Sequence, residues 1–198
     1  MKSIAIFCGS TPGTDAIYAE SAEQTGRLIA EQGKTLVYGG GRSGLMGIVA
    51  DSALKAGGKV IGVIPQGLVD RELAHPHLTE LHVVTSMHER KTMMAELSDG
   101  FIALPGGAGT IEEIFEQWTW AQLGIHLKPC AFLNIEGFYD HLLKFIQLTT
   151  EKEFTRSRFT DALISSSSIE DILNQFENFK APEPKWGVKD HVELVKVN

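Results

Sequence analysis

The stretch Pro105–Glu113, PGGAGTIEE, combines glycines, a threonine and two carboxylates in a short span. It follows the apolar run Phe101–Leu104 and precedes helical spacing that starts at Thr110. The first amides of a helix have no partner within it, and the helix dipole makes that end positive, so such a position attracts anions. The amides of Gly107–Thr110 are therefore a candidate phosphate site. The G-K-[ST] ending of a P-loop is missing, so ATP hydrolysis is not expected.

Glu113 has two interpretations in this stretch. In the first, T-x-x-E is a capping box: Thr110 caps the helix, and Glu113 returns a hydrogen bond to the Thr110 amide. In the second, Glu113 faces the part of a ligand that becomes positive, because a carboxylate repels a phosphate bound beside it. The local sequence leaves both interpretations open.

A second group of charged residues, Arg90 and Lys91, lies in SMHERKTMMAEL at a predicted helix start. Basic side chains near a helix N-terminus oppose the dipole, which a bound anion would explain. Arginine also suits two-point contacts to phosphate or to the edge of a heterocycle. The alternative is a solvated basic face with Glu89 and Glu96 nearby.

Two further glycine-rich loops follow predicted strands. In CGSTPG, small residues would let a ligand approach the backbone of Gly9, and Ser10 could hydrogen-bond it, although a plain turn fits equally well. In GGGRSGLMG, Gly39, Gly41 and Gly44 match G-x-G-x-x-G. The acid that a dinucleotide site places at the end of the next strand is missing from VIPQG. The loop therefore favours a mononucleotide or sugar-phosphate contact over a dinucleotide; tight packing of helix on strand is the alternative.

The polar connection DRELAHPHL, residues 70–78, predicts a loop that covers a pocket, with Glu72 or His75 in contact with ligand. His75 and His77 alone do not make a convincing metal site because no further ligands have suitable spacing. We expect neither a metal nor a cofactor.

The elements that would position these residues alternate strand, glycine-rich turn and helix. Several strands are continuously apolar, as in a parallel sheet covered on both faces. We therefore predict a doubly wound, mainly parallel Rossmann-like α/β sheet of about seven strands, in one domain over residues 1–180. Residues 181–198 are predicted to be a C-terminal tail or edge strand. The predicted strands are Ser3–Cys8, Thr35–Tyr38, Val60–Ile64, Leu81–Val84, Phe101–Leu104, Cys130–Asn134 and Leu163–Ser165. The predicted helices are Asp15–Gln32, Ser43–Ala56, Met87–Leu97, Thr110–Leu123, Phe138–Leu148 and Ile169–Phe179.

Composition narrows the class of partner. A net charge of −7 argues against a general binder of nucleic acid or of anionic membranes. Cys8 and Cys130 lie far apart in apolar runs, which favours buried reduced thiols and a cytoplasmic protein. The apolar run at the N-terminus is too short for a signal or membrane segment, so no targeting is expected.

Taken together, YGGGRSGLMG, MHERK, LPGGAGTIEE and TWAQLGIHLKP resemble the LONELY GUY family of cytokinin riboside 5′-monophosphate phosphoribohydrolases, long labelled "lysine decarboxylase". The resemblance covers about residues 4–154. It implies a Rossmann-like homodimer that hydrolyses the N-glycosidic bond of a nucleoside 5′-monophosphate to free base and ribose 5-phosphate. The implied catalytic pair is Arg90 and Glu113. Ala108 fills a position where the family often has an aromatic residue, which leaves the base preference open.

The loops and the resemblance together give the candidate substrate-binding residues: Gly9, Ser10, Gly40, Gly41, Glu72, Lys91, Gly106, Gly107, Ala108, Gly109, Thr110, Ile111, Glu112 and Thr119. The alternative is a non-catalytic nucleotide- or molybdenum-cofactor-binding protein of the same fold; a third is an NAD-dependent oxidoreductase. The decarboxylase label fails on chemistry, since a pyridoxal enzyme needs a Schiff-base lysine with a partner for the ring nitrogen. Lys91 is the nearest candidate, and a bound anion explains it better.

Overall fold

The computed structural model describes residues 1–71 and 73–186. Its strands are β1 Ser3–Phe7, β2 Thr35–Tyr38, β3 Val60–Pro65, β4 Glu80–Val84, β5 Phe101–Ala103, β6 Cys130–Leu133 and β7 Ile164–Ser166. Its helices are α1 Ala16–Glu31, α2 Gly44–Lys55, α3 Gln66–Val69, α4 Met87–Glu96, α5 Ala108–Leu123, α6 Asp140–Glu151, α7 Ser157–Asp161 and α8 Ile169–Glu177, with a 3₁₀ turn at Ile135–Gly137.

The strands form one parallel sheet in the order β4-β3-β2-β1-β5-β6-β7. The order reverses between β1 and β5, which pair directly with Ala5 opposite Phe101. Ligands of open α/β sheets bind outside the carboxyl ends of the strands at such a switch point. The loops after β1 and β5, which carry two of the glycine-rich motifs, meet there.

Each central strand sends alternate side chains to opposite faces of the sheet. Ile4 and Ile6 of β1 pack against α1, α2 and α8, whereas Ala5 and Phe7 pack toward α4, α5, α6 and α7. Both faces are thus covered by helices, which explains why the strands are apolar at successive positions. The prediction of a doubly wound parallel sheet is confirmed.

Every predicted strand is present to within one residue at either end, and the predicted helices are present with small shifts. The short helices α3 and α7 were not predicted, because so few residues establish no helical period. The predicted tail or edge strand, residues 181–198, falls mostly outside the described residues. Of its described part, Lys185 donates its amide to the Gln122 carbonyl at 2.9 Å.

Within the part of the chain that the structure describes, no helix has both the length and the apolar character needed to cross a bilayer. Cys8 and Cys130 are both buried and free, as predicted.

Candidate active site

A cavity of about 600 Å³ opens at the carboxyl edge of the sheet, beside the β1/β5 switch point. Its volume lies within the usual range for small-molecule sites. The lining comes from the loops after β1, β2 and β5, from the end of β3, from α3 and the segment after it, and from the N-terminal turns of α2, α4 and α5. The lining residues are Cys8, Gly9, Ser10, Gly39, Gly41, Ser43, Met46, Ile64, Leu68, Leu73, Arg90, Gly107, Ala108, Gly109, Thr110 and Glu113.

Helix α5 enters this cavity with its N-terminus, and it begins earlier than predicted. Its N-cap is Gly107, in extended conformation, and the Ile111 amide donates to the Gly107 carbonyl at 3.2 Å. The amides of Ala108, Gly109 and Thr110 precede that bond and have no partner within the helix. This is the geometry of an anion site.

The capping-box interpretation is therefore wrong. Thr110 lies inside the first turn and is buried, and the N-cap makes no side-chain hydrogen bond. A Cβ on Gly106 would overlap Thr110 Oγ1, so the absence of a side chain at Gly106 allows this close packing. The T-x-x-E pattern predicts a helix start at Thr110, but the glycines before it let the helix begin about one turn earlier, at Gly107.

Glu113 is left free to face the cavity. Its side chain is only 12% exposed, and its Oε1 lies 3.5 Å from Arg90 Nη1. Burial raises the pKa of Glu113; the Arg90 charge opposes this rise, and Glu112 adds to it. A carboxyl group poised closer to neutral pH is suited to proton transfer and to stabilising a cation.

Arg90 is 8% exposed, which excludes the solvated basic face. Its Nε donates to the Val63 carbonyl at 3.2 Å, and its Nη2 donates to the Gly39 carbonyl at 3.4 Å. These carbonyls, at β3 and after β2, fix the guanidinium so that Nη1 faces Glu113. The structure thus brings together Arg90 and Glu113, the two residues that the family resemblance implies as a pair.

Lys91 points elsewhere. Its Nζ donates to Glu112 Oε1 at 2.6 Å and to Glu116 Oε1 at 3.0 Å, which ties α4 to α5. Burial alone would lower the pKa of Lys91, but the hydrogen bonds to the two glutamates outweigh it and raise the pKa. Lys91 and Glu112 therefore form an ion pair outside the cavity lining. The two glutamates, and not a bound anion, neutralise the charge of Lys91.

The glycine loops after β1 and β2 both reach the cavity, though not through all the residues predicted. Gly9, Ser10 and Gly41 line it. Gly40 does not: it has φ +73° and its missing side chain would point at Ile64 and Leu81. Gly39 lines the cavity instead. A Cβ on Gly39 would overlap the Arg90 guanidinium, so this position must lack a side chain if Arg90 is to stay in place.

One wall of the cavity is apolar, and no sequence motif predicts it. Met46, Ile64, Leu68 and Leu73 form this wall. Apolar residues that line a cavity have the same sequence pattern as core residues, so only the packed structure distinguishes them.

Several predicted contacts do not line the cavity. Gly106, Ile111 and Thr119 are absent from its lining, and Thr119 lies six residues beyond Glu113, about 9 Å along α5. His75 is buried and turned toward Asp51 instead of the ligand space, so the predicted ligand contact of His75 is wrong. Glu72 lies outside the described residues. No group of metal-binding side chains occurs among the described residues.

Fold and site together define a doubly wound α/β protein that can hold an anion at a helix start beside a buried arginine–glutamate pair. A family model described as "possible lysine decarboxylase" matches residues 46–176. The chain is 52% identical over 162 residues to a cytokinin riboside 5′-monophosphate phosphoribohydrolase of Rhodococcoides fascians, covering 79% of this chain and 82% of that one. It is 40% identical over 196 residues to one of Arabidopsis thaliana, covering 99% and 92%. The chain belongs to this family, the LONELY GUY family.

Solved structures share the fold at low identity. A molybdenum cofactor binding protein from Rippkaea orientalis superposes with a TM-score of 0.69 at 23% identity, covering 90% of this chain and 97% of that one. A molybdenum cofactor carrier protein from Chlamydomonas reinhardtii gives 0.67 at 20% identity, covering 89% and 96%. At these identities the likeness extends to the fold alone.

The family model's description does not fit the site chemically. A pyridoxal decarboxylase needs a lysine that can form a Schiff base with the cofactor. None of the described lining residues is a lysine, and Lys91 is held charged by Glu112 and Glu116.

Proposed function

We propose that the protein hydrolyses the N-glycosidic bond of adenosine 5′-monophosphates, including N6-modified ones, to free base and ribose 5-phosphate. The observation that carries the proposal is the Arg90–Glu113 pair, set directly beside the free amides at the start of α5. The names of the relatives at 40% to 52% identity support it.

In the proposed complex the 5′-phosphate binds the amides of Ala108, Gly109 and Thr110. The free amides and the helix dipole both favour negative charge at this position. Glu113 lies one turn further along α5, so the ribose comes to rest between the phosphate and this carboxylate. The apolar wall of Met46, Ile64, Leu68 and Leu73 is then available to the base.

Glu113 acts on the sugar. As the bond from C1′ to the base nitrogen lengthens, positive charge develops on the ribose, and a nearby carboxylate stabilises it. The carboxylate also accepts a proton from the attacking water, whose oxygen forms the new bond to C1′. The bonding electron pair leaves with the base, which takes up a proton from solvent and departs neutral, and Glu113 then returns its own proton to solvent.

Arg90 acts on negative charge. Its guanidinium is fixed by two backbone carbonyls, which leaves Nη1 directed at the cavity. From there it can contact the phosphate or the departing base, and the same position holds Glu113 in its ionised form. Both roles require an arginine that does not move, which the buried anchors provide.

The proposal is tested by comparing AMP with adenosine as substrates. Phosphate binding energy positions the reacting carbon, so adenosine is expected to have a much lower kcat/KM. Equal values would refute the phosphate site on α5. AMP binding without any release of adenine would refute hydrolysis and leave a nucleotide-binding protein.

We further propose a homodimer in the cytoplasm. Buried reduced Cys8 and Cys130 support a reducing compartment. A partly exposed apolar strip on β4 and α4, formed by Leu81, Val83 and Met87, supports an interface with a second copy. The strip adjoins the site, since Met87 Sδ lies 3.8 Å from Arg90 Nη1. Sedimentation of the wild type against Val83→Lys tests this: a monomeric wild type would contradict it.

A further inference from the structure

The apolar wall of the cavity depends on a stretch with little regular structure. We call it the wall segment: residues 66–71 and 73–75. It supplies Leu68 from α3 and Leu73 from the connection that follows. Because a short helix and a loop have little stability of their own, their position must be fixed by contacts with neighbouring elements.

Backbone contacts fix one end of the wall segment to the glycine loop after β2. The Arg42 amide donates to the Leu73 carbonyl at 3.0 Å, and the His75 amide donates to the Gly40 carbonyl at 2.9 Å. Between them, Gly41 and Ala74 form an isolated antiparallel bridge. One sheet-like residue pair thus joins the wall segment to a loop that itself lines the cavity.

The side chain of His75 adds a contact to a different element. Its Nε2 lies 3.0 Å from Oδ1 of Asp51 on α2, and its Nδ1 accepts the His77 amide at 3.2 Å. The accepted bond places the ring proton on Nε2, which donates to the carboxylate. The imidazole is 3% exposed, whereas Asp51 is 74% exposed.

Neither partner touches the ligand space, since neither lines the cavity. We propose that His75 and Asp51 are a positioning pair, which latches the wall segment onto α2 and so sets the cavity's affinity for the base of the nucleotide. The choice of ligand rests on the proposed function. Asp51 is exposed to solvent, whereas His75 is buried where the wall segment meets the glycine loop after β2.

Loss of the His75–Asp51 contact is expected to weaken substrate binding and to leave the rate of the chemical step unchanged. The base contacts the wall equally in the ground state and in the transition state, so loosening the wall raises KM and leaves kcat unchanged. Arg90 and Glu113 stand on α4 and α5, and the Val63 carbonyl anchors Arg90 independently of the wall segment. A histidine that only filled the core would alter stability without this separation.

The test compares Asp51→Ala with two controls, using AMP. Lys55→Ala is the matched control, because it truncates another exposed side chain one turn further along α2. Asp51→Asn is the rescue, because its amide oxygen still accepts from Nε2. In Asp51→Ala we expect KM to rise by about five- to tenfold with kcat within about twofold of the wild type, and both controls to stay close to wild type.

Hydrogen exchange supplies a second readout that does not depend on catalysis. The Arg42 and His75 amides are expected to exchange faster in Asp51→Ala than in Lys55→Ala. Unchanged KM and unchanged exchange would overturn the proposal, as would a fall in kcat and melting temperature without a rise in KM. If the wild type releases no base, the proposed hydrolysis fails; the exchange data and calorimetric titration with AMP then still decide the latch.

Discussion

Replacing Gly39 with alanine is expected to disable the site through Arg90. A Cβ on Gly39 would overlap Nη2 of Arg90 and lie 3.0 Å from Cζ, so the guanidinium must move. Its bonds to the Val63 and Gly39 carbonyls, at 3.2 Å and 3.4 Å, would then lengthen or break. A displacement of about 1 Å in a catalytic group can lower the rate by about 100-fold, which is the loss expected in kcat/KM.

Gly39→Ala is also expected to lower the stability of the protein. Hydrogen bonds to a charged group contribute about 1.5–3 kcal/mol each, and a partial loss of two such bonds costs about 2 kcal/mol. For a chain of this size that corresponds to a melting temperature lower by about 4–8 °C.

The assay measures adenine release from AMP, with thermal melting on the same samples. Gly67→Ala is the matched control: it is the same substitution on α3, and a Cβ there meets no atom within 4 Å. Gly67→Ala is expected to keep wild-type kcat/KM. The reasoning is refuted if Gly39→Ala keeps kcat/KM within about threefold of the wild type and melts at the wild-type temperature.

Four further predictions concern the catalytic glutamate, the start of α5 and a buried histidine. Glu113→Gln should lower kcat by about 100-fold or more with no loss of melting temperature, because burial disfavours the charge it removes; a large loss of stability with full activity would contradict this. The acid limb of the wild-type pH–rate profile should lie above the ordinary glutamate pKa, since that of Glu113 is raised, and a limb at or below it would count against the assignment. Gly109→Ala should raise the melting temperature by about 2–4 °C, because alanine favours a helix by about 1 kcal/mol, yet weaken AMP binding by placing a methyl group in the cavity; tighter binding would oppose the amide site. For His126, burial lowers the pKa from 6.5 to about 4, so the unfolded chain takes up the proton first, and the free energy of unfolding falls by about 3 kcal/mol as the pH falls from 6.5 toward 4; urea unfolding should show a smaller pH dependence for His126→Gln than for the wild type.

The sheet could be predicted from sequence because its physical cause is local. Strands buried on both faces must be apolar at successive positions, and glycine-rich turns mark their ends. Val60–Pro65 is buried at every position, and its pattern is accordingly clear. Helix α3 could not be predicted in this way, since four residues hold barely one turn and carry no periodicity.

The site was predictable where chemistry is local and not where it depends on packing. Arg90 was a candidate because a basic side chain at a helix start opposes the helix dipole. The local sequence left Glu113 open between a helix cap and a ligand contact, and only the resemblance to the family implied the catalytic pair Arg90 and Glu113. Lys91 looked equivalent to Arg90, yet its pairing with Glu112 and Glu116 depends on how α4 meets α5, which no local pattern encodes. The apolar wall and the buried position of His75 arise from the same long-range packing.

The most direct test of the central claim is a chromatographic assay of purified protein with a panel of nucleoside 5′-monophosphates, AMP and an N6-modified AMP among them. We expect free base and ribose 5-phosphate to appear in equal amounts from at least one adenosine monophosphate, and Glu113→Gln to abolish both. Nucleotide recovered intact from the whole panel, or base released equally well by Glu113→Gln, would contradict the account.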